Sequence, residues 1–392
     1  MTIIEFFDKD AIENMVSTLV GDPDRVVLIG NKRKTMEKAA QRYTQVARRY
    51  GKKAEFLVRS VERNDLERIV AVLTQIVQTW DDCTIDLTGG EDLYLVGAGI
   101  VFQTCPDRLR LHRFNVHNEA LYDCDADGCV LDRRQVRLSV EENIFLYGGR
   151  VIYAPEKKSG TRRWDLSPEF SRDVKTMWRI CRADLRSWNK LITQAVEPED
   201  SPGTVAVKVL YYNQEQGLSD DAVPPMFWRL EEAGLIRGLE ARQGELRFTC
   251  KNTQVQACLT MAGLILELKT TLAMNESGQF GDILTGVSID WDRGNDTDVE
   301  NEIDVLAMKG LVPVFISCKN GTVPGDELYK LATVAERFGG KYARKALVAT
   351  YELNEDIKRR AYEMNIRIID KVGVMEDPAF QRALANIVGE LK

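Results

Sequence analysis

Histidine is almost missing from this chain: its 392 residues include two, His112 and His117. A Ser-His-Asp or Cys-His apparatus needs an imidazole held beside its nucleophile, so little room is left for either. The eight cysteines, at positions 83, 105, 124, 129, 181, 250, 258 and 318, form no C-x-x-C pair. A zinc site or a disulfide framework is thereby disfavoured, and reduced, mostly buried thiols are expected. No apolar run reaches the ~18 residues that would span a bilayer. The opening MTIIEFFDKDAIEN has acidic residues where a signal peptide carries a basic stretch and then an unbroken apolar one, so a cytoplasmic protein with no membrane partner is expected. The G-x-G-x-x-G fingerprint is absent from the turn after RVVLIG, which disfavours NAD. Basic charge is not in excess either. A net charge of -7 argues against a surface that coats nucleic acid, while leaving room for a local basic cleft. From Arg162 to Lys190, eight basic residues stand against four acidic ones, a run whose simplest reading is the wet face of a helix. Any hydrolysis should rest on carboxylates, lysine and metal.

What is present describes an ordinary soluble α/β protein, 44% apolar and 29% charged, long enough for two or three domains. Buried-strand runs alternate with amphipathic helices over the first 120 or so residues. RVVLIG (25–30), AEFLVRSV (54–61), CTIDLTGG (83–90) and LRLHRFNV (109–116) are expected strands, and 34–51, 64–80 and 91–105 expected helices. A doubly wound, Rossmann-like sheet follows, with residues 120–140 as an appended hairpin turning at a D-G pair. From about residue 165 helices dominate, interrupted by the polar loop 196–204. Residues 224–252 read as a helix, a strand, a turn at Gln243-Gly244 and a second strand, which is winged-helix-like. The expected reading helix carries Glu231 and Glu232 with Arg229 as its only cation, so a linker or dimerisation module is favoured over a DNA reader. The last third is expected to run α-β-β-β-α-β-α-β, starting with one helix over 253–274. The expected domains are 1–150, 160–252 and 253–392.

Residues 301–321, NEIDVLAMKGLVPVFISCKNG, form two apolar strands expected to pair through Lys309-Gly310. Alternation puts Glu302 and Asp304 on one face of the first, and Ser317 and Lys319 on one face of the second. Two carboxylates and an ammonium on otherwise greasy strands must neutralise one another or hold a cation. A rim ion pair is the competing reading. Phosphate-facing loops are expected at the carboxyl ends of the first sheet. They are Gly30-Asn31-Lys32 and Asp86-Leu87-Thr88-Gly89-Gly90, in which glycines let backbone approach an anion, Thr88 offers a hydroxyl and Lys32 a charge.

D-L-T-G-G after a strand of such a sheet resembles the CARF domain, a sensor of cyclic oligoadenylates in CRISPR defence. The C-terminal core with Asp304, S-C-K at 317–319 and a spacing of 319 − 304 = 15 resembles the PD-(D/E)xK nuclease fold of restriction-like enzymes. With a winged-helix-like segment between them, nearly the whole chain resembles CRISPR-associated CARF nucleases of the single-CARF, homodimeric kind. The resemblance implies a CARF-like ligand-sensing domain over 1–150, a linker domain over 160–252 and a nuclease domain over 253–392. It implies activation by cyclic tetra-adenylate in type III CRISPR antiviral defence. It further implies cleavage of single-stranded DNA or RNA, or nicking of duplex DNA, with manganese or magnesium. Carried over by residue, Asp304 is the motif aspartate, Lys319 the motif lysine and Glu267 the helix glutamate of the metal site. Ser317 departs from the pattern, since it stands where the second carboxylate belongs, so Glu267 or Glu302 must supply that charge. The carbonyl of Cys318 is a further expected ligand. Asp290 and Asp292 are nearby acids whose simpler reading is strand-end solvation. Two alternatives stay open: a ligand-responsive transcription regulator with a degenerate nuclease domain, or a ring nuclease that destroys the messenger.

Overall fold

The computed structural model describes residues 1–125, 129–133, 135–153, 161–198, 203–209, 223–242, 244–291 and 300–389. The first strand is one that the periodicity did not reveal. β1 (Thr2–Phe6) is buried along its whole length, and its run is short and interrupted by Glu5, which disguises it. After it come α1 (Val16–Val20), β2 (Arg25–Gly30), α2 (Arg33–Arg49), β3 (Glu55–Ser60), α3 (Leu66–Thr79), β4 (Cys83–Asp86), α4 (Asp92–Thr104) and β5 (Leu109–Asn115). β1 is the middle one of five parallel strands in a seven-stranded sheet of order β3-β2-β1-β4-β5-β6-β7, which ends in the hairpin β6 (Ala120–Asp123) and β7 (Val130–Asp132). The D-G turn of that hairpin lies outside the described residues. Pairing is parallel from β3 to β5 and antiparallel beyond. α2 buries Met36, Ala39, Ala40, Tyr43, Val46 and Ala47, the stripe of a helix covering one face. Ile4, Phe6, Val27 and Ile29 of the opposite face pack with Ile69, Leu73 and Tyr94 of α3 and α4.

The loop at 196–204 is flanked by strands and not by helices. After α5 (Val140–Leu146), β8 (Arg150–Ile152), α6 (Pro168–Ala183) and α7 (Leu185–Ile192), the chain forms β9 (Ala195–Val196) and β10 (Thr204–Lys208). These join β11 (Ile236–Arg242) and β12 (Glu245–Cys250) in a four-stranded sheet of order β11-β12-β10-β9, against which α8 (Pro225–Glu232) buries Met226, Phe227 and Leu230. The wing is therefore half of a larger sheet. Lys251, just after β12, fastens it to α6 through Asp173 (2.8 Å) and Glu169 (2.7 Å). The basic run around α6 is partly spent inside the molecule, as Arg163 meets Asp282 at 2.8 Å and Lys175 meets Glu276 at 2.6 Å.

The single helix expected over 253–274 is two, α9 (Thr253–Cys258) and α10 (Leu264–Glu276). Asn252 caps the first, its side chain accepting from the Val255 N–H at 2.8 Å, and the chain turns before Gly263 opens the second. α10 is buried nearly all round, from Leu264 to Met274, so it shows no amphipathic period. The third sheet has the order β17-β16-β15-β14-β13-β8. It contains β13 (Asp282–Asp290), β14 (Glu300–Lys309), β15 (Val312–Lys319), β16 (Arg344–Ala349) and β17 (Ile366–Ile369), with α11 (Glu327–Gly339), α12 (Glu355–Glu363) and α13 (Asp377–Ala385) around it. Gly310 takes a φ of 59° in the β14–β15 turn, a conformation glycine adopts without strain. α13 was not foreseen, and it packs on α10, where Lys269 meets Asp377 at 2.7 Å. Asp292 lies outside the described residues.

The sheet edge carries one surprise for the expected division at residue 150. β8 pairs antiparallel with β13, and Arg162 bridges to Thr285, so both belong to the third sheet. One continuous hydrophobic core runs from α2 through α5 to the third sheet. Among the described residues, no helix is long and apolar enough to cross a membrane.

Candidate nuclease site and sensor cleft

The antiparallel ladder of β14 and β15 is paired from Lys309↔Val312 to Val305↔Ile316. At the next step the carboxylate of Asp304 accepts from the Cys318 N–H at 2.6 Å, with the Ser317 hydroxyl oxygen 3.0 Å away. The Lys319 ammonium lies 3.1 Å from the same Asp304 oxygen and 3.1 Å from Glu327 Oε1. The Ser317 hydroxyl lies 2.6 Å from that Glu327 oxygen. Sequence reading missed Glu327. Its signal was an acid in the first turn of the helix after the lysine strand, a place where acids are common for reasons of helix dipole alone.

These side chains line a cleft of about 210 Å³ together with Glu302 and Lys330. Glu267 does not line it. α10 lies on the face of β15 that bears Cys318, whose thiol contacts Thr270 at 3.6 Å, whereas Ser317 and Lys319 face α11. Cys318 thus offers its amide to the site and keeps its sulfur in the core.

Charge in the cleft is unbalanced. Burial raises the pKa of Glu267 well above the carboxylate range, with Asp304 and Glu302 adding to the rise against the pull of Lys319 and Arg162. Glu302 is raised for the same reasons, burial first and Asp304 second. Burial works against the charge on Lys319, but Asp304 and Glu327 outweigh it and hold its pKa up. The lysine is therefore a fixed positive charge. Arg162, from the basic run, is close enough to lower both glutamates, a part the sequence did not assign to it.

The sensor loops sit at the carboxyl ends of β1, β2 and β4. Asn31 and Lys32 line a cleft of about 800 Å³ with Phe7, Asp10, Arg42 and Lys341. Thr88, Gly89 and Gly90 are placed beside it, on other business. The Thr88 hydroxyl donates to Asp86 and accepts from the Phe114 N–H (2.8 Å), so it offers no hydrogen to a ligand, contrary to expectation. Its backbone N–H also goes to Asp86, at 2.8 Å. Burial alone would raise the Asp86 pKa, yet His112, Ser17 and Thr88 outweigh it and keep the carboxyl ionised. A Cβ on Gly30 would lie 3.0 Å from Met36 Sδ, on Gly89 3.1 Å from Glu13 Cβ, and on Gly90 2.7 Å from Phe6 Cβ. Gly90 also has a φ of 113°. The glycines are thus required for close packing of the loops onto β1 and its following turn.

That turn holds Asp8, Asp10 and Glu13, whose oxygens lie within 4.8 Å of one another. Their partners come from the far end of the chain. Lys341 meets Glu13 at 2.5 Å, Tyr342 donates to Glu13 at 2.8 Å, and the Lys341 N–H lies 3.2 Å from Asp10. The N-terminal sheet and the C-terminal domain are joined there by partly buried polar contacts.

The C-terminal third has the mixed α/β fold expected of a restriction-like nuclease domain. Residues 256–387 match the Card1-like endonuclease domain. The Card1-like domain so delimited takes in α10 to α13 and β13 to β17. Over the whole chain the fold is similar to two solved structures. One is Can2 from Sulfobacillus thermosulfidooxidans, solved in complex with cyclic tetra-adenylate, with a TM-score of 0.71 at 15% identity, covering 99% of this chain and 97% of that one. The other is protein VC1899 from Vibrio cholerae, with a TM-score of 0.73 at 17% identity and the same coverages, 99% and 97%. No curated protein sequence matches the chain. The architecture expected of a CARF nuclease, an open sensor sheet followed by a restriction-like domain, is the one observed.

Proposed function

We propose that this chain is a cyclic-oligoadenylate-activated, metal-dependent nuclease of CRISPR antiviral defence, acting in the type III system on single-stranded DNA or RNA. The observation that carries the reading is the Asp304–Lys319 pair, 3.1 Å apart in a cleft of the Card1-like domain. The likeness to Can2, which was solved with cyclic tetra-adenylate, supports that ligand as the activator. The residues fit a divalent ion, manganese or magnesium. Burial, and after it the charge of Asp304, raises the pKa of Glu302 and of Glu267, a cost that a cation beside them lessens. Asp304 and Glu302 would hold it, with the Cys318 carbonyl as a further ligand, whereas Glu267 lies outside the cleft. A bound divalent ion supplies electrophilic polarisation of the scissile phosphate and an acidified water.

The chain's own groups do the rest. Lys319, kept protonated by its carboxylate neighbours, stabilises charge that builds on the phosphoryl oxygens. The Cys318 N–H fixes Asp304 in place, and Arg162 adds positive potential where the polynucleotide backbone approaches. At the sensor, Lys32, Asn31 and the glycine loops meet the phosphates of the cyclic ligand. A homodimer supplies two such surfaces around one pseudo-symmetric ring. α4, next to the Gly90 loop, supports this: Val96 and Ile100 are 49% and 41% exposed, and a Cβ on Gly99 would meet nothing within 4 Å. That face suits the same helix of a second copy.

The test is a labelled single strand incubated with protein, Mn2+ and cyclic tetra-adenylate. Cleavage that needs all three, and that falls by two or more orders of magnitude in Lys319→Ala, is expected. Retention of the strand without cutting would favour a regulator, and loss of intact cyclic ligand with the strand surviving would favour a ring nuclease.

A further inference from the structure

Two carboxylates, an ammonium and a hydroxyl meet at one point in the nuclease cleft, and one of the carboxylates lies outside the strand motif. Asp304 Oδ2 and Glu327 Oε1 each lie 3.1 Å from the Lys319 ammonium. They lie 3.0 Å and 2.6 Å from the Ser317 hydroxyl. A serine hydroxyl has one hydrogen, so it serves one of these oxygens at a time. Asp304 Oδ2 already receives the Cys318 N–H and the ammonium, so the hydrogen belongs on the shorter contact, to Glu327. Two carboxylates then share a single ammonium, so the group keeps a net negative charge. Both are mostly withdrawn from water, with side chains 19% and 15% exposed. A convergence of this kind is what a cation stabilises.

We propose that Glu327 is the second metal-holding carboxylate of this nuclease, projected from α11 into the space that Ser317 leaves empty on β15. The proposal rests on the nuclease reading above and deepens it. Ser317 shares a strand face with Lys319, two residues on, and its side chain is too short to bring a carboxylate to the cleft. Glu327 reaches the same spot from the facing helix. Its helix is firmly seated, because Leu328, Leu331, Val334, Ala335 and Phe338 are all buried against the sheets. The competing explanation is a plain Lys319–Glu327 ion pair with a favourable place in a helix's first turn. The two differ in what they ask of Glu327: an ion pair responds to Lys319 alone, whereas a ligand governs affinity for the ion.

Mn2+ binding to the full-length protein, without substrate, decides it by titration calorimetry, alongside cleavage and thermal unfolding. Glu327→Gln is expected to weaken Mn2+ binding at least about tenfold and to slow cleavage. The double variant Ser317→Glu with Glu327→Gln, which returns the carboxylate to the strand, is expected to recover most of the affinity. Parent-like Mn2+ affinity in Glu327→Gln, with affinity lost in Asp304→Asn, would overturn the role of Glu327 while leaving the nuclease reading intact. Parent-like affinity in both variants would overturn both. Should Glu327→Gln fail to fold, Glu327→Asp keeps the charge and withdraws it by one methylene; weaker Mn2+ binding then supports the proposal and unchanged binding refutes it.

Discussion

Glu5 and Asp86 stand directly opposite each other on the two central strands, both without access to water. Asp86 is the one that stays charged, since three donors serve it. Burial, then the charge of Asp86, drives the Glu5 pKa well above its ordinary value of 4.5. A raised carboxyl keeps its proton in the folded state after the unfolded chain has lost it. Its stabilising contribution is therefore complete below about pH 4.5 and is lost as pH rises toward the folded value, at up to ~1.4 kcal/mol per pH unit. Glu5→Gln keeps the neutral form at every pH. Urea unfolding at pH 4 and pH 8 should show the variant losing less stability than the parent between them; parallel profiles would mean that Glu5 is ionised in the fold. At the sensor, Lys32→Ala should weaken activation by the cyclic ligand, read as a higher ligand concentration at half-maximal cleavage. Mn2+ affinity should not change, because Lys32 lies in a different cleft from Asp304.

Elements here are placed by their ends. The Gly90 turn after β4 packs so closely on Phe6 of β1 that Gly90→Ala meets both a clash and an unfavourable φ. A loss of roughly 1–3 kcal/mol in unfolding free energy is expected, together with impaired ligand response. At the end of α11, Gly340 has a φ of 54°, and a Cβ there would fall within 1.6 Å of Asp10 Oδ1. Gly340→Ala should separate the C-terminal domain from the turn after β1, seen as a lowered melting temperature. An unchanged melting temperature would show that this contact contributes nothing. For α9 the cap matters more than the apolar pattern, and Asn252→Ala should cost about 1 kcal/mol. The strand hairpin at 300–319 was legible from alternation and a glycine turn, and so were α2 and α3 from their buried stripes. β1 and the break before α10 were not, because a buried glutamate hides one and all-round burial removes the helical period from the other.

At the scale of the molecule, sensor and nuclease share one core and a polar joint at Asp10, Glu13, Lys341 and Tyr342. A ligand that moves the Gly89 turn presses on Glu13, because the two are in close contact. The helix that ends at the joint begins at Glu327, so both clefts lean on α11. The dimer proposed through α4 has its own test: Ile100→Asp should yield a monomer in analytical ultracentrifugation and abolish activation by cyclic tetra-adenylate. A dimer that still responds would remove α4 from the interface.

The sequence by itself determined the α/β class and which of Asp304, Ser317 and Lys319 share a strand face, because alternation along a strand decides it. What only the tertiary structure decided is which distant groups arrive at those faces. Glu327 comes to Lys319 and Lys341 to Glu13, and Thr88 turns inward to Asp86. Such meetings depend on how helices seat against sheets, and no local pattern of residues encodes the contact that packing makes between segments far apart in the chain.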